Sequence, residues 1–291
     1  MVRRLFVKKI YSDNEISKLE GTWIDESYIK LPLLEEDTDV YYNNNGIYKL
    51  LLKFRKNVIS DKLVDIGWNS YKDLAKPSRG RGASAGPIDT EGQYWSKKDL
   101  VDTKKWSTGY MIKGKKSKMK VNNQVASNPI GFYEASNNFS KLPCRLTHFT
   151  RTNFKKYNEG LPFIQKIDEL FQRLIPNAHK RQLDRANLKD NFKIPNTSFS
   201  TVTINRNFRT ALHRDAGDFQ GGFGNLTVIE KGKYHGGYTV FPQFGIGIDL
   251  RNNDFVAMDV HQWHSNTKLY ETDDDKLFNS TLKSEFNDNP D

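Results

Sequence analysis

The chain has 291 residues and a formal net charge of +10, long enough to bury a sizeable core in one large domain or two modest ones. It contains no run of 18 apolar residues and one cysteine, Cys144, which excludes a transmembrane helix, an internal disulfide and a thiolate zinc cage. The start, "MVRRLFVKKIYSDNE", has two arginines but no apolar stretch behind them, so an intracellular protein without a signal peptide is expected.

Residues 1–45 show weak periodicity, and "GIYKLLLKFRKNVI" (46–59) reads as a helix. "KPSRGRGASAGPIDTEG" (76–92) combines four glycines with two prolines and reads as a loop. Residues 93–127 read as hairpins or irregular loops around a basic focus. Between 104 and 120 lie seven lysines and no acid, from Lys104 to Lys120, interleaved with Trp106, Tyr110 and Met111. A polyanion such as nucleic acid suits that segment, and so does plain solvation of a lysine-rich loop. By contrast, 271–291 holds seven acids and two lysines, a net of −5, which leaves +15 on residues 1–270.

The strongest helical pattern is "LPFIQKIDELFQRLI" (161–175), where Leu161, Ile164, Ile167, Leu170, Phe171 and Leu174 recur at steps of three and four. Pro162 suits its first turn, Pro176 stops it, and a more polar helix is expected over 178–190. From 198 onward the texture changes. "FSTVTI", "TALHRD", "NLTVIE", "YTVFPQF", "IGIDL" and "FVAMDVHQW" are short β-rich runs separated by turn residues. Such runs without intervening helices favour an antiparallel barrel or sandwich over a parallel sheet.

Two of these runs carry chemistry. If 209–215 is extended, His213 and Asp215 share a face and can chelate one ion; otherwise they are polar residues on a turn. A third ligand would come from "DFVAMDVHQWHSN", as His264 or His261. His264 shares the parity of Val256, Met258 and Val260 and is preferred for that reason, although Phe255 and Ala257 make the other face apolar as well. Two histidines and a carboxylate suit non-haem iron, and also zinc or manganese. His235 reads as a hairpin residue.

The context is more specific than the H-x-D pattern. "TSFSTVTINRNFRTALHRDAGDFQGGFGNLTVIE" (197–230) and "GGYTVFPQFGIGIDLRNNDFVAMDVHQWHSNT" (236–267) resemble the TET/JBP branch of the 2-oxoglutarate- and iron-dependent dioxygenases. The texture is closest to the JBP-type thymine hydroxylase domain and its viral and phage relatives. "SRGRGASAGP" (78–87) and "PCRLTHFTR" (143–151) look like upstream blocks of the same group.

The resemblance implies an α+β fold with a double-stranded β-helix (jelly-roll) core and supporting helices. The expected division is an N-terminal extension over 1–140, an oxygenase core over 141–270 and an acidic tail over 271–291. It implies Fe(II) on His213, Asp215 and His264, with 2-oxoglutarate and O2 as co-substrates. It also implies hydroxylation of the methyl group of thymine or 5-methylcytosine in DNA. The base would be flipped out of its stack and the backbone held by the basic surface. Asp218, five residues after His213, would read the base, or else satisfies the glycine-rich turn. Arg79 and Arg81 sit among glycines that allow close approach to a phosphate or a keto-acid carboxylate, and a surface loop explains them equally.

One departure stands out. The family places an arginine after the distal histidine to clamp the far carboxylate of 2-oxoglutarate, and no arginine follows Arg251 here. Either a strand is missing after the acidic tail, which is the favoured expectation, or another cation such as Lys268 or Arg209 replaces the clamp. Two rival functions stay open: a catalytically weak relative that only holds DNA, and an iron oxygenase acting on protein or a small metabolite.

Overall fold

The computed structural model describes the chain except residues 75, 79–80, 89–99, 106–107, 114–116, 135–143 and 283–291, and the side chains of 100–122, 134 and 190. The order begins with β1 (Arg3–Val7), α1 (Asp13–Ser17), β2 (Thr38–Asn44), β3 (Ile47–Arg55), α2 (Asp61–Tyr71) and β4 (Pro77–Ser78). There follow β5 (Leu100–Lys105), β6 (Thr108–Lys113), β7 (Ser117–Asn122), β8 (Val125–Glu134) and β9 (Cys144–Leu146). Next come the helices α3 (His148–Thr152), α4 (Phe154–Leu174) and α5 (Pro176–Asn187). The last part holds β10 (Thr201–Asn205), β11 (Gly224–Leu226), β12 (His235–Gly236), β13 (Thr239–Phe241) and β14 (Ile246–Ile248). It ends with β15 (Phe255–Met258), β16 (Ser265–Asn266), β17 (Leu269–Tyr270) and α6 (Asp273–Ser280).

The fold is mixed α+β. A five-stranded sheet runs β1-β2-β3-β15-β11, with β1 parallel to β2 and the other pairs antiparallel. Phe255 and Ala257 of β15 join the core beneath α2 and α4, whereas Val256 and Met258 join a second core with Phe241, Ile246 and Ile248. Alternate residues of one central strand therefore enter opposite cores, as the two-residue period of a strand requires. Further sheets run β10-β8-β4, with β9 on β8, and β14-β13-β16. Strands from both sides of residue 140 share these sheets, β3 with β15 and β8 with β10, so the expected boundary coincides with no break in pairing.

The expected helix over 46–59 is instead strand β3. Apolar residues at 50, 51, 52 and 54 satisfy a helical template, but here the chain runs between β2 and β15 and its polar residues find partners on β2. Arg55 Nη2 donates to Asp39 Oδ1 at 2.7 Å, and Lys53 Nζ lies 3.0 Å from Asp39 Oδ2. Tertiary pairing has overridden the local pattern.

Helix α4 starts seven residues before the expected one, so Pro162 lies inside it on the solvent side instead of in its first turn. Burial of Tyr157 and Gly160 extends the inward stripe upstream and offsets the backbone hydrogen bond that Pro162 cannot donate. Pro176 both ends that helix and opens α5 at N1. A buried network then ties the two helices together. Asp168 of α4 meets His179 Nε2 of α5 at 2.9 Å and accepts hydrogen bonds from the Ser198 backbone N–H (2.8 Å) and hydroxyl (2.6 Å). The acidic run 273–275 forms the first turn of α6, closed by a Thr272–Asp275 capping box and placed where the helix dipole favours negative charge.

Candidate metal centre

The segment 209–215 is not a regular strand. It is held by a single antiparallel bridge in which His213 and His264 each donate a backbone N–H to the other's carbonyl at 3.0 Å. Asp215 N–H donates to the Val260 carbonyl at 3.0 Å and Asn266 N–H to the Thr210 carbonyl at 3.1 Å, so four backbone bonds align the two segments. Strand β15 has already ended at Met258, and the parity that favoured His264 does not run on to it. The bridge brings His264 into place instead.

His213 Nδ1 lies 2.7 Å from the Ala211 carbonyl, and His264 Nδ1 lies 2.9 Å from the Gln262 carbonyl. A carbonyl oxygen only accepts, so each Nδ1 carries a hydrogen and Nε2 is the ring nitrogen that each histidine presents to the trio. Asp215 faces both, with Oδ1 3.5 Å from His213 Nε2 and Oδ2 3.8 Å from His264 Nε2. One donor atom from each residue lies within 4.8 Å of the other two. Arg214, between the two H-x-D residues, stacks on Trp263 with its guanidinium carbon 4.4 Å from the ring centre.

Electrostatics keep His264 and Asp215 in their ligand forms. Burial, reinforced by the positive charge of His213, holds His264 down at about 4, so it is neutral at neutral pH. Burial also pushes the Asp215 carboxyl up, but a hydrogen bond from His213 and the charges of His264, His213 and Arg81 outweigh it and leave it below the ordinary range. Two nitrogen donors and one carboxylate, all on one side, fit an Fe(II) ion with open positions.

The trio opens into a cavity of about 1060 Å3. Asp218 lines its mouth; burial, then the negative charge of Asp215, lifts this carboxyl to about 6 even though much of the residue reaches solvent. Arg81 lines the same cavity and donates from Nη2 to Thr203 Oγ1 at 3.1 Å. The other candidate cations lie elsewhere. Arg209 donates to the Ile24 carbonyl at 2.8 Å and stacks on Trp23, and Lys268 is exposed; neither lines the cavity. His261 stays outside the trio, its Nε2 3.4 Å from the Phe219 carbonyl. Arg79, Lys115, Lys116 and the side chains of the other lysines of 104–120 lie outside the described residues.

Sequence reasoning missed much of the cavity wall. Thr201, Thr203 and Asn205 of β10 line the cavity, while Ile204 packs on the core beneath α4 and Val202 touches both. Beside His264, Thr210 Oγ1 donates to Asn266 Oδ1 at 2.6 Å, and Asn266 Nδ2 reaches Thr239 Oγ1 at 3.2 Å. The W-H-x-N run ending at Asn266 was the available signal.

Comparison with known proteins places this arrangement. The family model described as the oxygenase domain of the 2OGFeDO superfamily, Tet_JBP, matches residues 128–282. The bifunctional helicase and thymine dioxygenase JBP2 of Trypanosoma cruzi is 34% identical over 145 residues, covering 50% of this chain and 13% of the relative. The thymine dioxygenase JBP1 of Trypanosoma brucei brucei is 34% identical over 139 residues, 48% of this chain and 16% of the relative. The chain thus matches only a minor part of the length of these relatives. A solved structure, NgTET1 in complex with 5mC DNA, aligns with a TM-score of 0.41 at 11% identity over 90% of this chain and 87% of that one. Since the family match spans more than half of the chain and encloses all three residues of the trio, this protein belongs to the Tet_JBP oxygenase family of the 2OGFeDO superfamily.

Proposed function

We propose that the chain is an Fe(II)- and 2-oxoglutarate-dependent dioxygenase that hydroxylates the methyl group of a pyrimidine base in DNA, with thymine as the first candidate and 5-methylcytosine as the second. The observation that carries this reading is the bridged His213–Asp215–His264 trio at the head of a large cavity, inside the residues matched by the family. The printed names of the relatives, thymine dioxygenases, support the choice of base. The short strands β10, β11 and β13–β16 around the trio support a double-stranded β-helix core, flanked by α2, α4 and α5. We take 141–270 as that core, 1–140 as an extension packed on it and 271–291 as a tail.

His213 Nε2, His264 Nε2 and Asp215 would hold the iron. With 2-oxoglutarate and O2, the bound metal supplies the oxidation that replaces a methyl C–H by C–OH and releases succinate and CO2. Every other task falls to the protein. Arg81, the cation of this cavity nearest Asp215 in charge effect, would take a carboxylate of the keto acid, because neither Arg209 nor Lys268 reaches the cavity. Asp218, ionised above about pH 6, would accept an N–H from the flipped base. Phe208, Phe223, Met258 and Val260 supply apolar wall that excludes water from the methyl group.

Anaerobic loading with Fe(II) and 2-oxoglutarate, exposure to O2 and nucleoside mass analysis of treated DNA tests the reading. 5-Hydroxymethyluracil or 5-hydroxymethylcytosine should accompany succinate, and His213→Ala, Asp215→Ala and His264→Ala should each abolish both. Succinate without a hydroxymethylated base would sink the DNA assignment. A second reading, a weak relative that only holds DNA, is favoured by the position of Arg209 and Lys268 outside the cavity lining. Failure to bind 2-oxoglutarate would favour it.

A further inference from the structure

The cavity is larger than one base and a keto acid require, and its far arm has a character of its own. One wall is α5. Gln182, Arg185 and Ala186 line the arm from one stripe of the helix, and Leu188 and Lys189 continue the wall just past its last turn. Arg185 and Lys189 are exposed and have no acidic partner among the described residues. Four residues of helix advance about 6 Å, of the order of the step between successive phosphates of an extended strand. Aromatic rings line the arm as well, Phe192 on the turn that follows Lys189 and Phe132 and Tyr133 on β8. Phe132 and Phe192 meet edge to face at 6.2 Å, and Tyr133 is 37% exposed beneath the Arg145 guanidinium, 5.1 Å from its ring centre. Among the described residues, the only carboxylates lining the whole cavity are Asp215 and Asp218, both at the metal end.

The arm is fixed relative to the trio. The Asp168–His179–Ser198 network locks α5 to the segment leading into β10. At the other edge, Arg181 donates to the Gly221 carbonyl from Nε (3.2 Å) and Nη2 (3.0 Å), and the end of the Gln182 side chain rests against Gly222. The trough therefore runs from α5 straight to the glycine-rich turn that follows Asp218.

We propose that this trough, between α5 and the β8–β10 edge, binds an unstacked stretch of single nucleic-acid strand flanking the reacting nucleotide. Arg185 and Lys189 take its phosphates, and Phe132, Tyr133 and Phe192 take its bases. The identity of the substrate as DNA rests on the function proposed above. Exposed cations beside aromatic rings are what a single strand requires, since its phosphates seek charge while its unstacked bases seek flat rings. A duplex keeps its bases stacked inside and has no use for the aromatic rings.

The test is binding of a short fluorescent oligothymidylate and of a hairpin duplex to the full chain, by anisotropy over a range of salt, without metal, keto acid or O2. In the double variant Arg185→Ala/Lys189→Ala the single strand should bind at least about tenfold more weakly. The slope of log K against log salt should flatten by about 1.4, two contacts at about 0.7 each. Tyr133→Ala should weaken single-strand binding by about tenfold with the slope unchanged, the mark of stacking. Single-strand affinities and slopes equal to wild type in both variants would overturn the proposal, as would a loss confined to the duplex. Product formation by the wild-type enzyme is scored separately. Wild-type oxidation with unaltered variant binding removes the trough alone; altered variant binding without any oxidised base removes the oxygenase reading alone.

Discussion

Gly224, the last residue of the Gly-Gly-Phe-Gly turn, is a sensitive point far from obvious in the sequence. A Cβ added there would overlap Val260 Cγ1 and stand 3.4 Å from Val260 Cβ. Val260 is 3% exposed, its β-branched side chain has few rotamers to retreat into, and Gly224 is fixed opposite Met258 in the β11–β15 pairing. In Gly224→Ala the backbone at 260 must move, and the Val260 carbonyl is the acceptor that holds the Asp215 N–H. Overpacking of this kind costs about 1–3 kcal/mol, which for a chain of this size lowers Tm by roughly 2–5 °C. Displacing a group that orients a ligand should weaken metal affinity by about 10- to 100-fold. Calorimetric melting and anaerobic titration with Fe(II) or Co(II) measure the two effects. Gly217→Ala is the matched control, because nothing lies within 4 Å of its added Cβ. If Gly224→Ala melts and binds metal like Gly217→Ala, the link from turn to ligand is wrong.

Three further outcomes are expected. Gly160→Ala should destabilise by about 1–3 kcal/mol with an unchanged urea m-value, because its Cβ would run into the Tyr71 ring that α2 presses against α4; an unshifted urea midpoint would contradict that packing. Asp168→Ala leaves His179 and both Ser198 donors unpaired in the interior and should cost about 3–5 kcal/mol in urea unfolding; a loss below about 1 kcal/mol would show the network to be weak. Burial, and secondarily the charges of Asp249 and Asp254, raise the Glu230 carboxyl against the opposing Asn252 N–H and Arg251. Its stabilising contribution is complete below the ordinary 4.5 and is lost as pH rises through the raised value, so wild type should lose stability with rising pH where Glu230→Gln does not. Parallel stability profiles for the two proteins would remove Glu230 as the cause.

The site was more legible than the fold around it. His213, Asp215 and His264 could be named because H-x-D and W-H-x-N survive as short words, even though the bridge that joins them does not follow the strand parity used to choose His264. Helices α4 and α5 were legible in type because each buries one face of its own; their limits shifted because Tyr157 and Gly160 pack upstream of Pro162. Strand β3 was not legible. The cue that separates it from a helix is Asp39, 16 residues from Arg55 on another strand. The cavity wall was scattered for the same reason: Arg81, Tyr133, Arg185 and Thr203 come from separate elements and meet only after the sheets pair.

The pair of backbone hydrogen bonds between His213 and His264 also bears on how the proposed iron site would exchange its metal. The spacing of the two imidazoles is set by main chain and by carbonyls behind each ring, not by an ion between them. Little ordering remains to be done when the ion arrives, and little collapses when it leaves. Such a centre behaves as a refillable socket: chelation should empty it while the surrounding fold persists, and reloading should need no refolding.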